Sequence, residues 1–186
     1  MNIFKLIKLP DLVTLLSVAF ALLSIFSSIN LNYISAAIFM FLSAAADYCD
    51  GIVARLTKRT GEFGKQMDSL ADIVAFGVAP AVFGYMLPLR SAVFTVILVL
   101  FVCAGLLRLA RFNSSPPSDY FEGLPITASG IIIPGAFFLY IFSFKAYGWG
   151  SFSLVMEIIY LALAVLMISS IKIKKLKPKK TRNKRT

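Results

Sequence analysis

The sequence predicts an all-α, polytopic membrane protein with six transmembrane helices and a short amphipathic surface helix at the N-terminus. Of its 186 residues, 59% are hydrophobic and only 15% are charged, whereas soluble domains carry about 25% charged residues. Several apolar stretches approach or exceed the roughly 20 residues that cross a bilayer. These two observations exclude an ordinary soluble domain.

The elements follow in order from the apolar stretches and the turns between them. Residues 1–10 alternate Lys5 and Lys8 with apolar side chains, a pattern typical of a helix lying on the membrane surface. Polar, glycine-containing or proline-containing turns then separate the predicted spans. These spans cover about residues 11–28, 32–57, 64–87, 91–112, 125–145 and 151–171.

The domain organisation is simple. We expect a single membrane domain over residues 1–172 and a basic cytoplasmic tail over residues 173–186. The tail is predicted to be disordered because it is highly charged and poor in apolar residues. Beside a membrane span, its basic charge indicates contact with anionic lipid headgroups rather than with nucleic acid.

The distribution of basic residues predicts the orientation in the membrane. Because cytoplasmic loops are enriched in Lys and Arg, the more basic side of the bundle should face the cytoplasm. The opposite side carries only Arg90 and Lys145. Both termini and the 57–64 loop are therefore predicted to be cytoplasmic, in a multi-pass protein of the cell membrane. The basic side carries Lys5, Lys8, Lys58, Arg59, Lys65, Arg111 and the tail.

The composition also restricts the chemistry. Histidine is absent, and the two cysteines, Cys49 and Cys103, lie in apolar helical stretches. This excludes a disulfide framework and a thiolate zinc site. For proton transfer near neutral pH, carboxylate, lysine and tyrosine side chains remain.

Five of the nine acidic residues lie within residues 47–72, and four of these five are aspartates. Asp47 and Asp50 are spaced i, i+3 on one predicted helix, and Asp68 and Asp72 are spaced i, i+4 on the next. A short loop makes these helices antiparallel neighbours, so the four carboxylates can converge. Oxygen ligands without His or Cys select Mg²⁺ or Mn²⁺, and four carboxylates suit two such ions.

Helix rise places these side chains at a common depth. At about 1.5 Å per residue, Asp47, Asp72 and Arg108 each lie roughly 22–25 Å from the non-cytoplasmic end of their helix. Three helices thus bring acidic and basic groups just inside the cytoplasmic boundary. Small residues at Gly51 and Gly64 would let a ligand approach closely.

The spacing D-x2-D-G-x2-A-R-x8-G-x3-D-x3-D, matched at every fixed position by residues 47–72, resembles the signature of the CDP-alcohol phosphotransferase family. The resemblance implies a six-helix membrane enzyme, usually a homodimer. Such an enzyme transfers a phosphatidyl-type group from a CDP-linked lipid to an alcohol and releases CMP.

The family pattern also implies roles for individual residues. Asp72 would serve as general base in addition to binding metal. Thr14 matches the family's pattern before the first helix, where Asp11 stands in place of the usual Asn. The implied metal ligands are Asp47, Asp50, Asp68 and Asp72, and the implied CDP-lipid site includes Thr14, Gly51, Ala54, Arg55 and Gly64.

Flanking residues resemble the phosphatidylserine synthase branch, which makes L-serine the expected acceptor. Ser69 and Ile73 follow the third and fourth aspartates, where the glycerol-phosphate branch has Pro and Lys. The segments at residues 108–113 and 123–125 also resemble the serine branch. The lipid donor would be CDP-diacylglycerol or CDP-archaeol, since the sequence does not distinguish an ester-linked from an ether-linked lipid.

The anionic carboxylate of serine requires a cationic partner near the pyrophosphate. Arg108 and Arg111, together with Asn113, are candidates to bind this carboxylate or the lipid phosphate. Alternatively, the arginines anchor the chain at the cytoplasmic surface or pair with Asp119 and Glu122. Two other functions remain open at this point: a transferase that uses inositol phosphate or glycerol phosphate, and a divalent-ion transporter.

Overall fold

The computed structural model describes residues 9–57, 62–88, 91–114, 120–144 and 148–174. The predicted surface helix falls almost entirely on residues 1–8, and most of the predicted tail falls on residues 175–186. Both segments lie outside the described residues. The remaining chain forms a helical bundle.

The first two helices form an antiparallel pair. Helix α1 (Leu9–Ile29) and helix α2 (Tyr33–Thr57) are joined by a tight turn. Small buried side chains at their contact let the two backbones approach closely. The buried hydroxyl of Ser24 also ties the helices together, because it donates a hydrogen bond of 2.9 Å to the carbonyl of Ala36.

The third span is continuous but changes its hydrogen-bonding pattern. It comprises helix α3 (Glu62–Asp72), a π-helical segment (Ile73–Val78) and helix α4 (Ala79–Met86). Pro80 follows the π segment and has no N–H group to continue the helical ladder. The register therefore changes directly after Asp72.

Three further apolar helices complete the bundle. Helix α5 covers Ala92–Ser114, helix α6 covers Ser129–Leu139, and helix α7 covers Gly148–Ile168. A single 3₁₀ turn (Ile126–Ala128) leads into α6, and a second π segment (Tyr140–Phe144) extends it.

The predicted all-α membrane fold is confirmed. Among the described residues, four helices are long and apolar enough to cross a membrane, and two more apolar helices are shorter. Their ends differ by a few residues from the predicted bounds, as is usual for frayed termini. The long helices are Asp11–Ile29, Tyr33–Val53, Glu62–Met86 and Ala92–Ser114, and the shorter ones are Ile126–Phe142 and Phe152–Ile168.

A small two-stranded ribbon was not predicted. Strands β1 (Tyr120–Glu122) and β2 (Lys172–Lys174) pair in antiparallel orientation. Gly123 follows β1 with a positive φ of 72°, and its N–H donates to the carbonyl of Ile171 at 3.0 Å. The ribbon thus joins the segment before α6 to the chain that follows α7.

Aromatic side chains fill the centre of the bundle. Phe83 and Phe137 pack edge to face with ring centroids 5.2 Å apart, and Phe101 packs in the same way on Tyr160 at 5.2 Å. The hydroxyl of Tyr160 donates to the carbonyl of Pro80 at 2.6 Å. Many large apolar side chains are instead exposed on the outer faces of the helices, as expected where lipid replaces water.

Candidate active site

Three aspartates from neighbouring helices come together in the bundle. Each of Asp47, Asp68 and Asp72 offers one carboxylate oxygen, and these oxygens all lie within 4.8 Å of one another. Asp47 extends from α2, and the other two extend from successive turns of α3. Like charges this close are unfavourable without a cation between them.

The donor set fits a hard divalent ion. Carboxylate oxygens are the ligands that Mg²⁺ and Mn²⁺ prefer, and the chain contains no histidine. Each of the three aspartates is partly exposed, so the cluster is not sealed inside the bundle. The arrangement can therefore hold a divalent metal ion.

The fourth aspartate lies beside this cluster but has a different nearest partner. The buried carboxylate of Asp50 accepts a hydrogen bond from the hydroxyl of Thr14 on α1. Asp50 does not belong to the close group formed by the other three aspartates, although it is an electrostatic neighbour of Asp68. Thr14 therefore orients Asp50.

Asp11 is part of the same region, and the sequence alone assigned it no role. Its side chain is buried, and its Oδ1 lies 3.0 Å from the position that a Cβ atom on Gly64 would occupy. Gly64 is therefore the residue that lets the start of α3 approach α1. The available signal was the departure from the family pattern at this position.

Arg108 supplies positive charge next to the acidic cluster. This residue on α5 is only 8% exposed and is an electrostatic neighbour of Asp72. Its guanidinium carbon lies 5.5 Å from the centre of the Phe112 ring, a cation–π distance. A buried guanidinium of this kind can form a bidentate pair of hydrogen bonds with a phosphate or a carboxylate.

Arg111 has a different environment from Arg108. Its guanidinium donates to the carbonyls of Met167, Ile168 and Ser169 at 3.1–3.2 Å. These carbonyls lie at the C-terminus of α7, where orphan acceptors and the helix dipole favour a cation. The alternative partners, Asp119 and the Glu122 side chain, lie outside the described part of the structure.

Asn113 contacts helix α3 on both sides of Asp68. Its Nδ2 donates to the hydroxyl of Ser69 at 2.9 Å, and its backbone carbonyl accepts a bond of 3.4 Å from Lys65. The side-chain Oδ1 of Asn113 is buried without a hydrogen-bond partner in the described structure. An orphan acceptor of this kind next to a site is a candidate to bind a ligand.

The remaining predicted nucleotide-site residues lie on α2. Gly51 is exposed one residue after Asp50. The backbone of Ala54 and Arg55 continues the same helix, but their side chains lie outside the described structure.

A family model provides the first comparison with known proteins. The model described as CDP-alcohol phosphatidyltransferase matches residues 7–168. This range includes all of the aspartates described above and ends at the last residue of α7.

Curated relatives provide the second comparison. The chain is 39% identical to an archaetidylserine synthase of Methanothermobacter thermautotrophicus over 174 residues, which cover 91% of this chain and 71% of the relative. It is 36% identical to a CDP-diacylglycerol–serine O-phosphatidyltransferase of Methanocaldococcus jannaschii, covering 92% and 76% of the two chains. It spans a smaller part, 58%, of a Helicobacter pylori protein with the same name, at 38% identity over 72% of this chain.

Proposed function

We propose that this chain, which belongs to the CDP-alcohol phosphatidyltransferase family, transfers a phosphatidyl-type group from a CDP-linked lipid to L-serine. The serine hydroxyl oxygen bonds to the lipid-linked phosphorus. The bond from that phosphorus to the bridging pyrophosphate oxygen breaks, and CMP leaves with that oxygen. The names of the relatives, archaetidylserine synthase and CDP-diacylglycerol–serine O-phosphatidyltransferase, support serine as the acceptor.

The observation that carries the proposal is the convergence of three carboxylates beside a buried arginine. Asp47, Asp68 and Asp72, with Asp50 at their edge, would hold Mg²⁺ or Mn²⁺, and we propose two ions. When bound, these ions neutralise the pyrophosphate and stabilise the departing CMP. The cluster is otherwise a costly concentration of negative charge at membrane depth.

Asp72 is the proposed general base. It lies at the end of α3 and is flanked by Asp47, Asp68 and Arg108. In a chain without histidine, a carboxylate at the reaction centre is the natural acceptor for the proton of the attacking hydroxyl.

The nucleotide of the donor is proposed to lie against the start of α3 and the end of α2. The small residues Gly51, Ala54 and Gly64 would leave room for it, and Arg55 would contact a phosphate, as the family resemblance implies. Thr14 supports this site by orienting Asp50. Asp11 borders the site through its close approach to Gly64.

Acceptor binding is proposed to involve Arg108 and Asn113. The buried guanidinium of Arg108 binds the carboxylate of serine or the lipid phosphate. The unpartnered Oδ1 of Asn113 accepts from the serine ammonium group. Arg111 supports the site indirectly by fastening the end of α5 to α7.

The membrane location follows from the apolar helices, and the orientation is part of the proposal. The basic charge at one end of the bundle supports an active site that faces the cytoplasm, with both termini on that side. We propose a single membrane domain over residues 1–172 with a basic tail that contacts anionic lipids and not nucleic acid. A homodimer is proposed on the basis of the family resemblance.

An acceptor panel tests this function. The purified full chain is incubated with Mn²⁺ or Mg²⁺ and with either CDP-diacylglycerol or CDP-archaeol. Each mixture receives L-serine, glycerol 3-phosphate or inositol phosphate, and CMP release is measured. Among the three acceptors, we expect only L-serine to cause CMP release. Release only with a phosphorylated polyol would show that the polyol, and not serine, is the acceptor.

A further inference from the structure

The register of the third span changes immediately after Asp72. Residues Ile73–Val78 form a π-helical segment, at the end of which the N–H of Ala79 donates to the carbonyl of Val74, five residues earlier. The next residue, Pro80, has no N–H, and its ring conflicts with the carbonyl four residues before it. That carbonyl belongs to Phe76. Pro80 therefore explains locally why a regular α-helix is not continued.

A hydroxyl group from another span reaches the carbonyl that Pro80 affects. The Oγ of Ser129, at the start of α6, lies 2.5 Å from the carbonyl oxygen of Phe76. It also lies 2.7 Å from the carbonyl of Ile126 on its own chain segment. Ser129 is completely buried. Its single proton can bridge these two carbonyls, and one of them, the buried carbonyl of Phe76, receives no N–H from Pro80.

The π segment and the start of α6 also fit each other in shape. A Cβ atom on Gly130 would lie 2.5 Å from the Phe76 ring, and a Cβ on Gly105 would lie 2.6 Å from Ile126. The start of α6 therefore sits tightly between the π segment and α5. Arg108 lies about one turn beyond Gly105 on α5. The start of α6 and the turn before it thus contact both the span that carries Asp72 and the helix that carries Arg108.

The π segment determines the direction in which the carboxylates of α3 point. One residue turns an α-helix by about 100°, and a π segment accommodates an extra residue in its turn. If residues 73–78 returned to α-helical geometry while α4 stayed packed in the core, α3 would rotate by about this angle. Asp68 and Asp72 would then turn away from Asp47.

We propose that Ser129 is a positioning residue for Asp72 and Asp68, because its bond to Phe76 holds the π segment in the register that completes the acidic cluster. Ser129 does not contact the substrates. The inference rests on the proposed function only in that the acidic cluster binds divalent metal.

The test compares metal binding by two isosteric variants of the purified full chain. Ser129→Thr keeps the hydroxyl and Ser129→Val replaces it by a methyl group, so that both add similar bulk. Mn²⁺ affinity is measured by electron paramagnetic resonance without substrates. We expect Ser129→Val to bind Mn²⁺ at least about tenfold more weakly than Ser129→Thr, the loss typical of groups that orient metal ligands. Equal affinities would overturn the proposal.

A matched control separates positioning from general stability. Ser24→Ala removes a hydrogen bond of the same kind, from a buried hydroxyl to the carbonyl of Ala36, toward the other end of α2 from Asp47. It should lower the melting temperature but change Mn²⁺ affinity by less than about twofold. The matching deletion at the proposed positioning residue is Ser129→Ala. Equal losses of Mn²⁺ affinity in Ser24→Ala and Ser129→Ala would contradict a positioning role.

A double variant provides the sharpest comparison. Pro80→Ala restores a backbone N–H that can serve the Phe76 carbonyl in α-helical register. Relative to Ser129→Ala, the Pro80→Ala/Ser129→Ala protein should regain its melting temperature, while its Mn²⁺ affinity should stay as low as in Ser129→Ala. Recovery of both would show that Ser129 only stabilises the fold. Wild-type Mn²⁺ binding without serine transfer would refute the proposed function and leave this inference standing. Absence of Mn²⁺ binding in the wild type would refute the inference about Ser129.

Discussion

The side-chain amide of Asn113 donates a hydrogen bond of 2.9 Å to the hydroxyl of Ser69. This bond joins the last turns of α5 to the residue directly after Asp68. The two positions were singled out separately in the sequence by their resemblance to the serine branch. Their contact places the orphan Oδ1 of Asn113 close to the turn that carries the acidic residues.

Asn113 is expected to determine the affinity for serine. Asn113→Ala should raise the KM for L-serine by about tenfold, because an acceptor for the ammonium group is lost. The KM for the CDP-linked lipid should change little. Initial rates of CMP release at varied serine concentration provide both constants.

Ser69→Ala serves as the control for this prediction. It removes the hydroxyl that holds the Asn113 amide but leaves Oδ1 in place, so the KM for serine should rise by less than in Asn113→Ala. An unchanged KM for serine in Asn113→Ala would remove Asn113 from the acceptor site.

The two arginines of α5 should behave differently when replaced. Arg111→Ala should lower the free energy of unfolding by about 1.5–3 kcal/mol, the typical value of a hydrogen bond to a charged group, because three carbonyls at the end of α7 lose their donor. Arg108→Ala should lower kcat/KM by about a hundredfold or more. Thermal unfolding and CMP release measure the two effects.

The opposite pattern would reverse these roles. A large rise in the KM for serine in Arg111→Ala, with unchanged stability, would return Arg111 to the acceptor site.

Gly64 is expected to have two separable roles. In Gly64→Ala, the new Cβ would lie 3.0 Å from Asp11 Oδ1, and such crowding costs about 1–3 kcal/mol. In an Asp11→Ala background this loss of stability should largely disappear. Gly64→Ala should also weaken the affinity for the CDP-linked lipid, because the methyl group occupies the proposed nucleotide site. This second effect should persist in the Asp11→Ala background.

The comparison of the two backgrounds requires only unfolding midpoints and the KM for the lipid. If Asp11→Ala restored both properties, Gly64 would matter solely for the packing of α3 on α1. If it restored neither, the crowding would have another origin.

The sequence predicted the helical class and the candidate aspartates because both depend on local spacing. Apolar length marks the spans, and intervals of three or four residues place carboxylates on one helix face. The four aspartates could therefore be grouped without a structure, although the structure brings only Asp47, Asp68 and Asp72 within 4.8 Å of one another.

Other features depend on contacts between distant segments and could not be predicted in this way. The contact of Ser129 with the π segment joins residues that are remote in sequence. The turn of Arg111 toward α7 depends on where that helix ends. The bond between Asp50 and Thr14 depends on how α1 packs on α2. Spacing within one helix carries no information on these partners.

Metal removal should affect stability as well as activity. Without a cation, the carboxylates of Asp47, Asp68 and Asp72 repel one another within 4.8 Å. Chelation should therefore abolish CMP release and lower the melting temperature. Mn²⁺ at 100 times its Kd should raise the free energy of unfolding again by about 2.7 kcal/mol. In Asp68→Asn, the same addition should stabilise less.

Differential scanning fluorimetry with and without chelator measures this effect. A melting temperature that does not respond to Mn²⁺ in the wild type, at concentrations that support activity, would argue against a metal site formed by these residues.

The most direct test of the central claim is the stoichiometry of serine transfer. The full chain receives isotopically labelled L-serine, CDP-linked lipid and Mn²⁺, and labelled lipid and CMP are counted in the same sample. We predict one CMP for each serine incorporated, and loss of both products in Asp72→Asn. CMP released without labelled lipid, or full serine transfer by Asp72→Asn, would contradict the account.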